Sequence, residues 1–339
     1  MEEELKLQLF LLDIKYQYAE IDFKKIIWKK FFIDASNNRI LDYCCRKLIQ
    51  LGLIEDENVK ASVKTILLVA DGYYDKIKLT LNFLNTKLAK YPFLICKTEK
   101  DIGYVTFDVD VLFKKKDYWE ILSHLQKLGG KYIECKNKLQ ADIIFTDLLR
   151  IDTHINFHWQ KSVFISEEKL WKNTTLKKVF GIKCYTPNLD NEVILNLLNL
   201  IYERHYIPLL DYYFLLKHVN NVNWNEIISV AIKYNWIKGL QIILNKFNQI
   251  HFLLNNRILI DIDINNKNYK FTKVNKLKIP FIYTYREGIH VFSERIFKCH
   301  YFRLYEFLYF LFSKTRFDWF DNTKVPIYGH WYDFKQIKY

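Results

Sequence analysis

None of the six cysteines, at positions 44, 45, 96, 135, 184 and 299, belongs to a Cys-x-x-Cys pair. Free thiols in a reducing cytoplasm fit that scatter best. The opening Met1-Glu2-Glu3-Glu4 is acidic where a secretory leader would be basic and then apolar, which supports the same cytoplasmic expectation. No run of about 18 uncharged apolar residues occurs, so no membrane-spanning helix is expected. The nearest approach, residues 301–312, is interrupted by Arg303 and Glu306. Gly-x-Gly-x-x-Gly, P-loop and Gly-x-Ser-x-Gly motifs are also missing. Their absence disfavours Rossmann cofactors, Walker-type hydrolysis and serine esterase chemistry.

What is abundant is positive charge. Lysine and arginine number 51 against 38 acidic residues, for a net charge of +13. That balance favours a polyanionic partner: a nucleic acid, a nucleotide or an anionic surface. Half of the 339 residues are hydrophobic and 26% are charged, the proportions of a folded protein with room for two or three domains.

The most informative stretch is Tyr104-Val105-Thr106-Phe107-Asp108-Val109-Asp110-Val111-Leu112-Phe113. Aromatic and β-branched residues mark it as a β-strand. Asp108 and Asp110 interrupt it, and residues two apart on a strand share a face. Carboxylates held that close repel and raise each other's pKa unless a cation lies between them. Mg²⁺ is the simplest such cation, because it takes one or two carboxylates and completes its shell with phosphates and water. Lys114-Lys115-Lys116 follows, then a helical pattern over 117–128 closed by Gly129-Gly130. A second strand, Arg150-Ile151-Asp152-Thr153-His154-Ile155-Asn156-Phe157, carries a third acid. Three carboxylates on neighbouring strands beside a basic cluster suit two-metal phosphoryl chemistry. The competing reading is an edge strand that shows its acids to water. His154 shares the face of Asp152 and is expected to line the cleft or to fix a neighbouring carboxylate.

Four regions are expected. Residues 1–70 form a helical module with helices near 21–32 and 38–51. The ending Gly52-Leu53-Ile54-Glu55 resembles that of a winged-helix recognition helix, with 59–69 as the strand that follows. Residues 71–186 form an α/β core: a helix at 75–90, strands at 93–96, 104–113, 131–136, 141–146 and 150–159, and helices on one side of a mixed sheet. Residues 187–250 form a helical bundle. Residues 251–339 form an α+β region packed on the core, with strands at 258–264 and 269–274 and a helix at 292–312.

Asp108-Val109-Asp110-Val111-Leu112, Ile151-Asp152-Thr153-His154, Leu209-Leu210-Asp211 with Leu215-Leu216, and Asn223-Trp224-Asn225-Glu226 together resemble the nucleotidyltransferases related to DNA polymerase β. The likeness spans about residues 75–245. It is nearest to a bacterial and archaeal branch whose core reads Asp-[Ile/Val]-Asp-Val-Leu followed by Asp-x-His. The resemblance implies an α+β fold with a small mixed-sheet core. It implies that Asp108, Asp110 and Asp152 bind divalent metal, Mg²⁺ or Mn²⁺, and that Asp152 helps deprotonate an acceptor hydroxyl. In that family the strand before the acids ends in a Gly-Ser or Gly-Gly turn that holds the triphosphate. Here Lys97-Thr98-Glu99-Lys100 stands at that place. Lys97 and Thr98 are therefore expected to hold phosphate by charge and hydrogen bond, with Lys114 and His154 as further nucleotide contacts.

The expected function is Mg²⁺-dependent transfer of a nucleoside monophosphate from an NTP to a hydroxyl of RNA, tRNA, protein or a small molecule, in the manner of toxin-like relatives. The alternative is a catalytically decayed nucleotidyltransferase fold acting as a winged-helix, DNA-binding regulator. No membrane partner is expected.

Overall fold

A computed structural model describes residues 1–97, 100, 102–134, 140–159, 162–204, 206–262 and 281–282. The chain divides into two compact units, one of Leu48–Asn196 and one of Met1–Lys47 with the described part of Leu197–Tyr339. In chain order the first elements are α1 (Glu3–Leu11), α2 (Trp28–Asn37), α3 (Leu41–Gln50) and α4 (Glu57–Lys87). Then come β1 (Phe93–Cys96), β2 (Asp108–Phe113), α5 (Tyr118–Lys127), β3 (Lys131–Glu134), β4 (Gln140–Ile144) and β5 (Arg150–His154). Two short hairpins follow, β6 (His158–Trp159) with β7 (Ser162–Val163) and, after α6 (Glu167–Trp171), β8 (Thr175–Val179) with β9 (Ile182–Thr186). The remaining elements are α7 (Leu189–Asn199), β10 (Tyr206–Ile207), α8 (Leu209–His218), α9 (Trp224–Lys233), α10 (Ile237–Asn255) and β11 (Phe281–Ile282). The fold is of the α+β class.

The unit of Leu48–Asn196 is built on a five-stranded mixed sheet of order β1-β2-β5-β4-β3. Only β2 and β5 run parallel; the other neighbours are antiparallel. Strand β2 therefore lies inside the sheet, which sets aside the edge-strand reading. Alternation along the strands sorts the side chains. Ile95, Val109, Val111, Phe113, Ala141, Ile143 and Ile151 pack with Ile77, Leu81, Leu84 and Leu88 of α4 and with Tyr118, Ile121, Leu122 and Leu125 of α5. The intervening residues, Asp108, Asp110, Gln140, Asp142, Asp152 and His154, fall on the opposite face. Helix α5 ends as expected: Gly129 takes a positive φ of 96°, and Gly130 N–H donates to the Leu125 carbonyl.

Two expectations for this unit fail. The strand expected at 104–113 begins only at Asp108, and residues 104–107 are irregular chain. Residues 59–69 are not a strand but part of α4, a helix of 31 residues. The Asp56 carboxylate accepts the N–H groups of Asn58 and Val59 and starts the helix. Val59, Val63, Ile66 and Ala70 then bury one stripe at helical spacing. Valine-rich composition suggested a strand, but the cap and the periodicity prevail, and the segment cannot supply a wing.

In the other unit, Asn38 joins the N-terminal helices to α8. Its side chain donates to Gln8 Oε1 at 2.8 Å and accepts Leu209 N–H at 3.2 Å. Residues 258–262 were expected to be strand. They run instead as irregular chain held by buried Asn248, which accepts the N–H groups of Leu259 and Ile260 and donates to the Ile260 carbonyl. An amide side chain here meets backbone groups that a neighbouring strand would otherwise satisfy. The strand expected at 269–274 and the helix expected at 292–312 lie outside the described residues.

Candidate active site

The site follows from parity and register. Parallel pairing of β2 with β5 sets Asp108 opposite Arg150, Asp110 opposite Asp152 and Leu112 opposite His154. Antiparallel pairing of β4 with β5 sets Asp142 opposite Asp152 and Gln140 opposite His154. Asp110, Asp152 and Asp142 thus form a row across three adjacent strands. Like charges directly opposed in a sheet are destabilising, so each acid calls for compensation.

The chain supplies that compensation itself. Lys97 Nζ stands 2.9 Å from Asp110 Oδ1. His154 Nε2 lies 3.1 Å from the same oxygen and 3.3 Å from Asp152 Oδ1. Gln140 Nε2 donates to both Asp152 oxygens at 2.9 Å. Arg150 spans the other pair, with Nη2 at 2.5 Å from Asp108 Oδ2 and Nη1 at 3.5 Å from Asp142 Oδ2. Thr106 Oγ1 donates to Asp108 Oδ1 at 3.2 Å. Lysine, arginine and histidine side chains of the chain itself thus offset part of the charge that divalent ions were expected to neutralise.

The titration behaviour reflects this balance. Burial favours a neutral Asp110, but Lys97 and His154 outweigh it and hold the carboxyl well below its ordinary value. Burial also disfavours a charged His154, but Asp152 and Asp110 overcome it and raise the imidazole to about 9. Burial pushes Asp142 upward against the pull of Arg150.

Lys97 sits at the end of β1 with φ at 55°, in the left-handed region that favours glycine. The resemblance placed a glycine at this turn, and here a lysine takes a conformation that glycine adopts without steric cost. The Tyr104 hydroxyl donates to the Lys97 carbonyl at 2.7 Å, and Lys97 N–H donates to Glu192 Oε2 at 3.4 Å. The ammonium lies 4.8 Å from the centre of the Phe157 ring, which also stacks on His154 at 4.6 Å.

The structure thus gathers Asp110, Asp152, His154 and Lys97 into one cluster. The candidate ligand atoms of Asp110, Asp152 and His154 lie within 4.8 Å of one another. Asp108 shares the face but turns to Arg150. Lys114 lies over the Trp171 ring at 5.0 Å, and Thr98 is outside the described residues. Sequence reading overlooked Gln140, Asp142 and Arg150. The signal for Arg150 was present, since it stands two residues before Asp152. Gln140 and Asp142 share one parity on β4, but their link to Asp152 depends on register.

No family model matches the sequence, and neither does any curated protein. Among solved structures, the lincomycin-bound lincosamide antibiotic adenylyltransferase LnuA overlaps 35% of this chain and 83% of its own, at 9% identity and a TM-score of 0.28. The antibiotic-resistance factor ANT(2'')-Ia overlaps 46% of this chain in two structures, one in solution and one with adenylyl-2''-tobramycin. Those overlaps cover 91% and 92% of that protein at 11% and 12% identity, each with a TM-score of 0.32. TM-scores this low leave the functional reading to the residues themselves.

Among the described residues, no helix is long and apolar enough to cross a membrane.

Proposed function

We propose that the chain is a divalent-metal-dependent nucleotidyltransferase that moves a nucleoside monophosphate from an NTP to a hydroxyl acceptor. The supporting observation is the direct opposition of Asp110 and Asp152 on parallel strands, with His154 between their oxygens. The donor set fits the metal, because two carboxylates are the hard oxygen ligands that Mg²⁺ or Mn²⁺ takes. Asp110 and Asp152 would hold it, joined by Asp108 from the same strand face. A bound dication would supply charge neutralisation at the phosphates and would acidify the acceptor hydroxyl.

The residues of the chain account for the remaining steps. Lys97 and His154 present positive charge to the incoming triphosphate. The acceptor oxygen forms a bond to the α-phosphorus, the α–β bridging P–O bond breaks, and pyrophosphate leaves with the electron pair. Asp152 takes the hydroxyl proton and passes it to water. The net charge of +13 favours a polyanionic acceptor such as tRNA.

The ion pairs of Lys97 with Asp110 and Arg150 with Asp108 favour one second reading, a nucleotidyltransferase fold that has lost catalysis. One experiment separates the two. The chain is incubated with each α-labelled NTP, Mg²⁺ or Mn²⁺, and total RNA or lysate. Label should appear with the wild type and vanish in Asp110→Asn. Absence of label with every NTP, together with no thermal shift from NTP plus metal, rejects the catalytic reading.

A further inference from the structure

We propose that Lys97 is a built-in counter-ion whose departure from Asp110 makes divalent-cation binding depend on nucleotide binding. The inference rests on the site being a nucleotidyl-transfer centre, and it adds how that centre would be kept idle without substrate.

The argument begins with one oxygen. Asp110 Oδ1 already receives Lys97 Nζ at 2.9 Å and His154 Nε2 at 3.1 Å. The two side chains of the lysine pair are only 13% and 15% exposed. A dication that uses Asp110 competes with the ammonium for the same carboxylate. In bulk water the displaced lysine would lose little, because solvent screens the pair. Here it would leave a sheltered partner while still confined near the site.

That confinement is built in. The backbone of Lys97 holds a left-handed φ of 55°, which costs a non-glycine residue energy. Its carbonyl and N–H are tied to Tyr104 and Glu192, and its ammonium lies against Phe157. The side chain therefore needs a new anion within reach, and a triphosphate is one. Metal alone would have to separate Lys97 from Asp110; metal with nucleotide also brings a triphosphate that accepts the ammonium. Two ligands coupled in this way must enhance each other by the same factor. Arg150 makes an analogous pair with Asp108, but its side chain is 43% exposed. Water compensates it more fully, and its coupling should be weaker.

The test measures binding, not turnover. Mn²⁺ affinity without nucleotide is read from the free-ion electron paramagnetic resonance signal. Calorimetry then measures the four α,β-methylene nucleoside triphosphates with and without saturating Mn²⁺. Lys97→Met and Lys97→Gln should bind Mn²⁺ alone about tenfold tighter than the wild type, within the range of ordinary coupling energies. The enhancement of nucleotide binding by Mn²⁺ should shrink by a similar factor. Lys97→Arg should behave as the wild type does, and Arg150→Gln should shift less than the lysine variants. Circular dichroism and a cooperative melt establish that each variant is folded.

Unchanged or weaker Mn²⁺ binding in both neutral variants, with the mutual enhancement intact, overturns the counter-ion role and leaves the nucleotidyl-transfer reading standing. If the wild type binds neither Mn²⁺ nor any of the analogues, or if Asp110→Asn binds Mn²⁺ in the presence of nucleotide as the wild type does, the nucleotidyl-transfer site itself is rejected and the inference falls with it.

Discussion

On the face of the five-stranded sheet that meets α4 and α5, the strands contribute Ile95, Val109, Val111, Phe113, Ala141, Ile143 and Ile151. On the other face the same strands contribute Asp108, Asp110, Gln140, Asp142, Asp152 and His154. The first face removes apolar surface from water and contributes stability at about 25 cal/mol per Å². The second sets acids opposite one another and then needs Lys97, Arg150, His154 and Gln140 to balance them. A row of apolar side chains would fold as well or better. A sheet that breaks local rules on one face only marks that face as the candidate site.

The largest expected effect tests the apolar face. Phe113 is fully buried, and Phe113→Ala should cost about 3–5 kcal/mol in chemical denaturation. A loss well below 1 kcal/mol would show that this face does not carry the fold.

The charged face should respond in the opposite manner. Asp152→Asn should lower nucleotidyl transfer by about 10²–10³, the scale of losing one charge-stabilising group at a reaction centre. Its stability should change less than that of Phe113→Ala, because relief of the opposition to Asp110 and Asp142 offsets the lost contacts with His154 and Gln140. A fall in stability comparable to that of Phe113→Ala would erase the distinction between the faces.

A smaller effect sharpens the comparison at the seam between α5 and β4. A Cβ on Gly130 would stand 2.7 Å from Ile143 Cγ2, 2.8 Å from Phe145 Cζ and 3.0 Å from the Leu125 carbonyl oxygen. The two side chains could shift, but the backbone oxygen on the third side limits the relief. Gly130→Ala should therefore destabilise by about 1–3 kcal/mol through overpacking, and any change in transfer should follow the folded fraction. A selective loss of activity in fully folded protein would mean that the apolar seam also sets the geometry of the acids.

Much of this contrast was readable from residue order, and the remainder was hidden for a definite reason. β-Branched and aromatic spacing marked β2 and β5, and parity put Asp108 with Asp110 and Asp152 with His154. Pairing across strands is a long-range property. Nothing near Lys97 indicates that its ammonium meets Asp110, and nothing near Arg150 names Asp108. The acids, and the pairing of His154 with a neighbouring carboxylate, were therefore visible, while the lysine and arginine partners were not. Residues 59–69 misled in another way. Valine content pointed to a strand, whereas the spacing of Val59, Val63, Ile66 and Ala70 after the Asp56 cap carried the helix.

The last and smallest effect uses the second unit as a control on the charged face. His154 is held charged among acids, whereas His251 is buried against Tyr212, Asn255 and Arg257. Tyr212 Oη lies 2.8 Å from His251 Nδ1, with Asn255 Nδ2 at 3.2 Å from the same nitrogen, and Arg257 Nε donates to Nε2 at 3.3 Å. Arginine can only donate, so Nε2 accepts in this contact. Protonating Nε2 would remove that acceptor and set cation against cation. Burial first, and Arg257 second, depress the imidazole to about 4. The unfolded chain, with an ordinary histidine near 6.5, therefore binds more protons in the window between those values. Stability from this group is complete above about pH 6.5 and is lost as pH falls toward 4. Urea midpoints measured across that window should decline in the wild type, and the decline should be shallower in His251→Asn. An unchanged slope in the variant would place the acid sensitivity elsewhere, with the compensated carboxylates of the charged face as the next groups to test.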